Sequence, residues 1–542
     1  MSEIALQRIA KEKREKTGYL NLSRCSLTIL PDALFELEHL ETLVLSNIGW
    51  NFPMADHETE WIEEGLNQLA ELPAGIQKLK NLKVLYCQGF FKHWSISDIS
   101  NLEGLHALHT LTLGKNKIND LSPLKKLPQL KTLDLGWNEI EDITPLQHLK
   151  GLILLDLSHN QLNDLSSLKQ LRNLTTLSLS DQHKKRIDFR PLKKLKKLRE
   201  LHLYSNNIQD ISFLKPLSAL NKLDLSYNNI SDLRVLKRLP ALNTLDLSSN
   251  QLTDLSVFSS LNGLVHLNLN RNSFRDLSPL ANLSSLQHLN LDHAINERAE
   301  MVVSPPYRDI SPLRHLTQLR TLLLQGNYID VLSPLAPLTK LRVLDLCENP
   351  GRGQFEFIQN MPDLTDLDLS INNIKDLSFL TNLSRLERLE LYDNQITDAF
   401  VLQNLTELKE LGLGTNKIDD FQFLSKLTKL EKLDISANEI KNIDFLKPHT
   451  QLRTLSLYVN PITDIQVLEN FSQLHSLDLG YTRMTDLAPI LHMLKRGIPV
   501  TMTYGHNHRK INLYRTIIGG DLRWAIREGA DEILKYYDEL EQ

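Results

Sequence analysis

One short motif recurs along most of this 542-residue chain and limits the folds it can adopt. Residues 130–146, LKTLDLGWNEIEDITPL, return with little change in the form LxxLxLxxNxIxDLSPL. The asparagine fixes the register, because Asn116, Asn138 and Asn160 are each 22 residues apart. A single hydrophobic core rarely grows beyond about 250–300 residues, whereas a stack of repeats has no such limit. The sequence therefore predicts a stack of about twenty similar coils.

The asparagines of this motif form a ladder, one per regular repeat. They are Asn116, Asn138, Asn160, Asn206, Asn228, Asn250, Asn272, Asn327, Asn349, Asn372, Asn394, Asn416, Asn438 and Asn460. In degenerate copies, Cys25, Gln182, Ala294 and Thr482 fall at or near the same position. Because an asparagine side chain both donates and accepts, we expect each to satisfy backbone groups of its own coil and of the neighbouring coil. The ladder is predicted to be structural, not catalytic.

The two halves of the motif predict different local structures. In L-x-L the leucines point inward and the residue between them points outward, which indicates one short parallel strand per repeat. The DLSPL half, as at 120–124, favours a short turn-like or 3-10 segment, because Asp and Ser cap and Pro fixes φ. The pattern resembles the leucine-rich repeat. That resemblance implies an α/β solenoid, a horseshoe with a concave parallel sheet and short 3-10 segments on its convex side.

The departures from the repeat define the predicted domain organisation. Residues 1–18 predict an amphipathic capping helix, and 19–505 the solenoid, with irregular insertions at 49–73, 88–101, 183–190 and 292–312. Residues 506–542 predict a C-terminal linker and capping helix, after a last half-strand near Val500 and Met502. The first two insertions carry aromatic residues that either mark a partner site or fold back over the N-terminal coils. These are Trp50, Trp61, Phe90, Phe91 and Trp94.

The outward residues of the strands predict an acidic row along the concave sheet. Its members are Asp134, Asp156, Asp224, Asp246, Asp345, Asp368, Glu390, Asp434 and Asp478. An exposed row of like charges favours a basic partner, but LDLS is also the ordinary filling of this repeat, so a solvated face is the preferred explanation. Large amphipathic residues stand beside the row and are the predicted protein contacts. They are Trp137, His159, Tyr204, Tyr227, Arg271, Tyr392, Tyr458 and Tyr481.

Other clusters are weaker indications of chemistry. Residues 184–199, KKRIDFRPLKKLKKLR, are basic enough to bind phosphate groups or an acidic partner, but such residues ordinarily fill a solvated outer face. His266 and His288 occupy equivalent places on adjacent repeats, with Asp292 and His293 close by, yet no cysteine joins them, so no metal site is predicted. No phosphate-binding loop, nucleophile elbow, kinase motif set or HExxH is present. We therefore expect neither an enzyme nor a cofactor.

Composition and charge indicate a soluble chain in a reducing compartment. The net charge of −5 argues against a protein that mainly coats nucleic acid or an anionic membrane. Cys25, Cys87 and Cys347 are the only cysteines and lie far apart. The N-terminal residues lack the apolar core of a signal peptide, and no apolar run approaches the ~18 residues of a membrane span. The expected location is cytoplasmic.

The two ends of the chain resemble a more specific family. Residues 5–45 and 71–85 are similar to the opening of bacterial Roco proteins, with the stretches LNLS, LPDALFEL and ELPAGIQKLKNLKVL. The tail fits the pattern I-x-x-G-x-x-x-I-L-x-Y-[YF], which in Roco proteins joins the repeats to the Roc GTPase domain. The matching residues are Ile526, Gly529, Ile533, Leu534, Tyr536 and Tyr537.

This resemblance implies a protein-interaction scaffold whose partner is a GTPase module, in cis or in trans. The sequence ends at Gln542, before the phosphate-binding loop of that family, so GTP binding is carried over to no residue. The chain is either the repeat portion of a longer GTPase or a stand-alone protein. The repeats alone are also similar to regulatory subunits of protein phosphatase and to the internalins. A phosphatase regulator and an exported adhesin are therefore the alternatives.

Overall fold

The computed structural model describes residues 2–47, 65–89, 95–182, 187–295, 309–501, 510–516 and 520–540. Side chains are not described for Arg352, Gly520, Asp521, Arg523 and Trp524. Five aromatic residues of the predicted insertions, Trp50, Trp61, Phe90, Phe91 and Trp94, lie outside these ranges, as do Met502 and most of the loop before Ile310. The chain divides into two compact units, Met1–Asn268 and Leu269–Gln542.

The first unit is a helix followed by parallel strands that pair in sequence order. Helix α1 spans Glu3–Glu15, and Ser2 caps its first turn by accepting a hydrogen bond from the backbone of Ala5. The described residues of this unit hold eleven strands: β1 (Tyr19–Asn21), β2 (Thr42–Val44), β3 (Val84–Tyr86), β4 (Thr110–Thr112), β5 (Thr132–Asp134), β6 (Leu154–Asp156), β7 (Thr176–Ser178), β8 (Glu200–His202), β9 (Lys222–Asp224), β10 (Thr244–Asp246) and β11 (His266–Asn268).

The second unit continues the same architecture. Within its described ranges it also holds eleven strands: β12 (His288–Asn290), β13 (Thr321–Leu323), β14 (Val343–Asp345), β15 (Asp366–Asp368), β16 (Arg388–Glu390), β17 (Glu410–Gly412), β18 (Lys432–Asp434), β19 (Thr454–Ser456), β20 (Ser476–Asp478), β21 (Val500–Thr501) and β22 (Ile511–Asn512). Both units therefore confirm the predicted solenoid of short parallel strands.

The register of the paired strands follows from the repeat. Leu111, Leu133, Leu155 and Leu177 pair across β4 to β7 and are all fully buried. Each burial of a leucine side chain stabilises the fold by roughly 1.5–3 kcal/mol. The residues on either side of these leucines point to the opposite face, which sets the register of everything exposed on the sheet.

The DLSPL half forms the expected 3-10 segments, three to five residues long. At Ser122–Lys126, Pro123 and Leu124 are buried, and Asp120 Oδ1 accepts a hydrogen bond from the backbone N–H of Ser122 at 2.8 Å. That bond is the largest cause of a lowered pKa for the Asp120 carboxyl. The aspartate and proline of the motif therefore fix the entry into each segment, as predicted.

The asparagine ladder bonds adjacent coils as the sequence predicts. Asn160, fully buried, donates from Nδ2 to the carbonyls of Leu135 and Leu157, each at 3.0 Å. Its Oδ1 accepts the backbone N–H of Ile140 at 3.0 Å. The degenerate member Gln182 makes similar bonds, donating to Leu157 O at 2.7 Å. One side chain thus satisfies buried backbone groups of two coils.

The structure differs from the predicted boundary of the first insertion. Asn67 donates from Nδ2 to Leu22 O and accepts the N–H of Cys25, at 2.8 and 3.0 Å. It therefore occupies a ladder position inside the stretch that the sequence analysis treats as irregular. The signal was available, because residues 67–73, NQLAELP, repeat the spacing of 25–31, CSLTILP.

The C-terminal end is also built differently from the predicted linker and single helix. After a short helix, α2 (Leu491–Lys495), strand β22 pairs with β20 on one side and β21 on the other. Two helices follow, α3 (Gly520–Glu528) and α4 (Ala530–Leu540), separated by Gly529 with φ +118°. Ala525, Ile526 and Ile533 are buried, so the tail packs onto the solenoid. None of the helices in the described ranges is long and apolar enough to cross a membrane.

Candidate interaction surface

The exposed face of each sheet presents two columns of side chains next to the ladder. The strand column contains the third residue of each strand, such as Asp134, Asp156 and Asp224. The turn column contains the residue just before each ladder position, such as Trp137 and His159. Tyr204, Tyr392 and Tyr458 occupy the place between these columns. All the residues predicted to contact a partner therefore lie on the sheet face of one unit or the other.

The turn column has a left-handed backbone throughout the regular repeats. Trp137, His159, Tyr227, Arg271 and Tyr481 have φ values of +58°, +52°, +52°, +52° and +56°. Such a conformation disfavours residues with a Cβ and costs on the order of 1–3 kcal/mol at each position. The left-handed turn is not evident from the sequence, because its usual signal, glycine or asparagine, is replaced at these positions by large side chains.

In the first unit the large side chains form two ring pairs. Trp137 and His159 stack with ring centroids 3.7 Å apart, and the ammonium of Lys115 lies 5.8 Å from the Trp137 ring. Tyr204 and Tyr227 meet edge to face at 5.0 Å. Trp137 is 40% exposed and Tyr227 48%. These aromatic residues are thus held by their neighbours and still open to solvent.

In the second unit the aromatic residues form a longer row of contacting rings near the C-terminal end. Tyr458 and Tyr481 meet edge to face at 5.4 Å, and Tyr481 and Tyr514 at 5.5 Å. The guanidinium of Arg515 lies 5.5 Å from the rings of both Tyr481 and Tyr514. Sequence reasoning missed Tyr514 and Arg515, although the preceding I-N-L is a degenerate L-x-L. Tyr392, earlier in the same unit, is also exposed.

Arg271 does not join any of these clusters. Its side chain is exposed, and its backbone N–H donates to Asp292 O at 2.9 Å. Within the described residues it contacts no aromatic ring and forms no ion pair. Arg271 therefore has the position that the sequence predicts without the packing that holds the aromatic residues in place.

The acidic row is less exposed than the sequence analysis expects. Asp156 is 4% exposed, and its Oδ1 accepts the N–H and the hydroxyl of Ser158 at 2.8 and 2.5 Å. Asp224 makes the same two bonds with Ser226, and Asp246 with Ser248. The LDLS motif is therefore a local turn in which the aspartate side chain binds the next backbone N–H.

Burial of these carboxylates changes their protonation. Desolvation raises the pKa of Asp156, Asp224 and Asp246, with the neighbouring Asp224 charge adding to the effect at Asp246. In the second unit desolvation raises the pKa of Asp345 to about 7 and that of Glu390 to about 7. The row thus favours a ligand that supplies positive charge, because a nearby cation stabilises the ionised carboxylates.

Arg388 partly neutralises the row in the second unit. Its guanidinium lies 2.8 Å from Asp366 Oδ1, 3.3 Å from Glu390 Oε1 and 3.6 Å from Asp368 Oδ2. Its Nε is 3.7 Å from Glu410 Oε2. One planar cation therefore reaches carboxylates on three adjacent strands.

The other predicted clusters find no support as sites. The part of the chain that the structure describes contains no group of three or more His, Cys, Asp or Glu residues arranged to hold a metal ion. The basic stretch 184–199 begins outside the described ranges. Its described lysines, such as Lys193 and Lys194, are exposed on a 3-10 segment whose Pro191 and Leu192 are buried. This is the arrangement of a solvated outer face.

Comparison with known proteins identifies the repeat. The family described as "Leucine Rich repeats (2 copies)" matches residues 106–148, 384–426, 406–448 and 450–492. A second family, described as "Leucine rich repeat", matches residues 196–252. No curated protein sequence matches the chain significantly.

Several solved structures match the chain, and at least one has a TM-score above 0.5. The plant peptide hormone receptor RGFR1, solved in complex with RGF2, is 20% identical over 92% of this chain and 86% of its own, with a TM-score of 0.51. An internalin (InlF) of Listeria monocytogenes is 26% identical over 72% of this chain and 86% of its own, with a TM-score of 0.29. An internalin C2 of the same organism is 34% identical over 35% of this chain and 82% of its own, with a TM-score of 0.33. The likeness to the receptor supports the solenoid fold and nothing beyond it.

Proposed function

Because the chain is a leucine-rich-repeat protein, we propose that it recognises a protein partner through the sheet face and performs no catalysis itself. The observation that carries this proposal is the set of exposed aromatic residues on that face, led by Trp137 and Tyr227. Large aromatic side chains dominate the energetics of protein interfaces. Here ring pairs hold several of them, which lowers the entropy lost when a partner binds.

The proposal is tested by replacing Trp137, Tyr204 and Tyr227 together with alanine. We expect the variant to lose partner capture from a native lysate while its thermal unfolding changes by only a few degrees. Phe400→Ala is the matched control, because Phe400 is 62% exposed but lies on a 3-10 segment instead of the sheet face. Unchanged capture by the triple variant, or equal loss in the control, contradicts a binding role for the sheet face.

We further propose that the partner includes a GTPase module, in cis or in trans. Support comes from the sequence resemblance of both ends to Roco proteins. The test compares capture with GTP and with GDP for the full chain and for a Leu540→Ser variant, whose leucine is 65% exposed on α4. Truncation of the tail is unsuitable, because removal of β22 exposes the edge of β20. Capture that is insensitive to both nucleotide and tail contradicts this assignment.

We also propose a cytoplasmic location. Support comes from the three cysteines, Cys25, Cys87 and Cys347, which are all buried and unpaired. Free thiols are typical of reducing compartments. Fractionation of the native source with an antibody against the chain tests this, and recovery in a secreted or surface fraction contradicts it.

A further inference from the structure

A recess of about 180 Å³ opens on the sheet face of the first unit, between Trp137 and Tyr204. Its floor is the strand column of five successive strands, which pair in register. These residues are Asp134, Asp156, Ser178, His202 and Asp224. Neighbouring strands lie about 4.8 Å apart, so the Asp134 and Asp156 carboxylates are adjacent like charges.

Two buried groups of this floor lack the partners that burial normally requires. Asp156 bonds only to serine and backbone groups, and among the described residues no lysine or arginine forms an ion pair with it. His202 is 5% exposed, and its Nε2 makes no hydrogen bond. The closest carboxylate oxygen to that atom, on Glu200, is 3.9 Å away, which is too long for a hydrogen bond. A buried polar atom without a hydrogen bond and a buried carboxylate without a cation are both destabilised, so a ligand that reaches these groups gains affinity.

The walls of the recess explain its shape. Gly136, Ser158 and Ser180 hold the positions between the two columns, and their small side chains leave room above the floor. The next residue of the same series is Tyr204, which closes one end, while Trp137 and His159 stand at the other. A narrow polar slot with aromatic ends and an acidic floor suits a flat cation.

The second unit shows how a guanidinium sits on such a floor. Arg388 is the first residue of β16, and its side chain reaches the strand-column carboxylates of Asp368 and Glu390. In the first unit the equivalent positions of β5 to β7 are the uncharged Thr132, Leu154 and Thr176. Strands β8 and β9 begin with Glu200 and Lys222, whose charged groups lie 4.0 Å apart. The first residues of the strands therefore place a cation beside the Asp224 end of this floor and none beside Asp134 and Asp156.

We propose that this recess binds an arginine side chain of the protein partner. The inference deepens the proposed function and rests on it. Arginine fits better than lysine because its five N–H donors match several acceptors at once, and because a guanidinium is weakly hydrated and stacks on aromatic rings. The Asp156 carboxylate provides the charge, and Tyr204 and Trp137 confine the plane of the guanidinium.

The test uses the full chain and a library of acetylated heptapeptide amides with arginine, lysine or citrulline at the central position and mixed residues elsewhere. Citrulline keeps the shape of arginine without its charge. We expect the wild-type chain to bind arginine peptides at least about tenfold more tightly than citrulline peptides. One hydrogen bond to a charged group typically changes affinity by this factor. Lysine peptides should bind more weakly than arginine peptides.

Asp156→Asn is the decisive variant. Asparagine keeps an oxygen to accept the Ser158 bonds, so we expect the variant to fold and to melt no lower than the wild type, while the arginine preference disappears. Asp246→Asn is the matched control, because Asp246 makes the same bonds to Ser248 in a repeat outside the recess. The control should keep the preference.

The results that overturn the inference are equal retention of arginine and citrulline peptides, equal retention of lysine peptides, no retention of any peptide, or a preference that survives in Asp156→Asn. A native partner lost by the triple aromatic variant but kept by Asp156→Asn also overturns it, and leaves the proposed function standing. A native partner kept by both variants contradicts the proposed function as well.

Discussion

Trp137 and His159 stack with an angle of 18° between their ring planes, although the backbone of both residues is left-handed. Equivalent positions of adjacent coils are held at a fixed spacing by strand pairing, so their side chains project side by side. The stack therefore results from the repeat geometry as much as from the attraction between the rings. The left-handed backbone of the turn column lowers the stability of the fold, whereas its side chains serve binding, so the two effects can be measured separately.

Replacement of Trp137 by glycine tests whether backbone strain and partner binding are separate effects. Glycine adopts φ +58° freely, whereas alanine keeps most of the strain. We expect Trp137→Gly to be more stable than Trp137→Ala by roughly 1 kcal/mol, with both variants weakened in partner capture. Chemical denaturation and the capture assay measure the two effects. A glycine variant less stable than the alanine variant shows that the turn is not strained.

Removal of a ladder asparagine should destabilise the fold strongly. Asn160→Ala leaves the N–H of Ile140 and the carbonyls of Leu135 and Leu157 without their partner. At about 1–3 kcal/mol for each unsatisfied buried group, we expect a loss of at least about 3 kcal/mol in the free energy of unfolding. Asn119→Ala, at an exposed position within the described residues where the side chain holds no backbone group, should change it by less than about 0.5 kcal/mol. Similar losses in both variants contradict the structural role of the ladder.

Protonation of the acidic row predicts a pH-dependent stability. The pKa of Asp345 is raised to about 7 by desolvation and by Asp368 and Asp292, against the opposing effect of Arg388. The folded state therefore binds a proton more tightly than the unfolded state, and this group's contribution to stability falls as pH rises from about 4 to 7. We expect Asp345→Asn to stabilise the chain by on the order of 2 kcal/mol at pH 8 and to have little effect at pH 4. Melting curves at both pH values measure this difference. A gain in stability that is the same at pH 4 and pH 8 contradicts the prediction.

A buried histidine predicts the opposite dependence. His449 is fully buried where other repeats have leucine, such as Leu127 and Leu427, and burial lowers the pKa of its ring. The ring stays neutral in the folded state, so stability is lost as pH falls below the unfolded pKa near 6.5. We expect His449→Leu to raise the melting temperature at pH 8 and to raise it further at pH 5. A smaller gain at pH 5 than at pH 8 rules out this explanation.

One hydroxyl attaches the tail to the solenoid. Tyr537 Oη accepts the backbone N–H of Leu487 at 2.7 Å and donates to Asp486 Oδ1 at 2.5 Å. Tyr537→Phe leaves that N–H unsatisfied, at a cost of about 1–3 kcal/mol. We expect faster hydrogen exchange in α4, with the strands of the first unit unchanged. Tyr536→Phe is the control, and equal exchange in the two variants contradicts the anchoring role of Tyr537.

The solenoid was predictable because its signals are periodic and local. Strand positions, the asparagine ladder and the 3-10 segments each depend on one residue type at one place in the motif, repeated many times. The exposed positions of Trp137 and Tyr227 followed from the same register. Whether Arg271 or Tyr392 contacts a partner stays a prediction, since position alone does not determine binding.

Other features depend on relations that a motif does not contain. The burial of Asp156 comes from its turn with Ser158 and from neighbouring coils, so it was not evident from an outward strand position. Asn67 was missed because an irregular stretch of sequence separates it from the strand it serves, although residues 67–73 repeat the spacing of 25–31. Strand β22 was missed because Ile511 and Asn512 form a pair too short to give a period.

The bonding pattern of a ladder asparagine is local, since the bonds of Asn160 join its own coil to the one before it. A whole repeat can therefore be deleted or inserted without loss of the hydrogen bonds between neighbouring coils. The condition is that the deletion or insertion begins and ends at equivalent positions of the motif. The number of coils can then change during descent without a separate refolding problem at each step, whereas the residues of the sheet face are free to diverge one at a time.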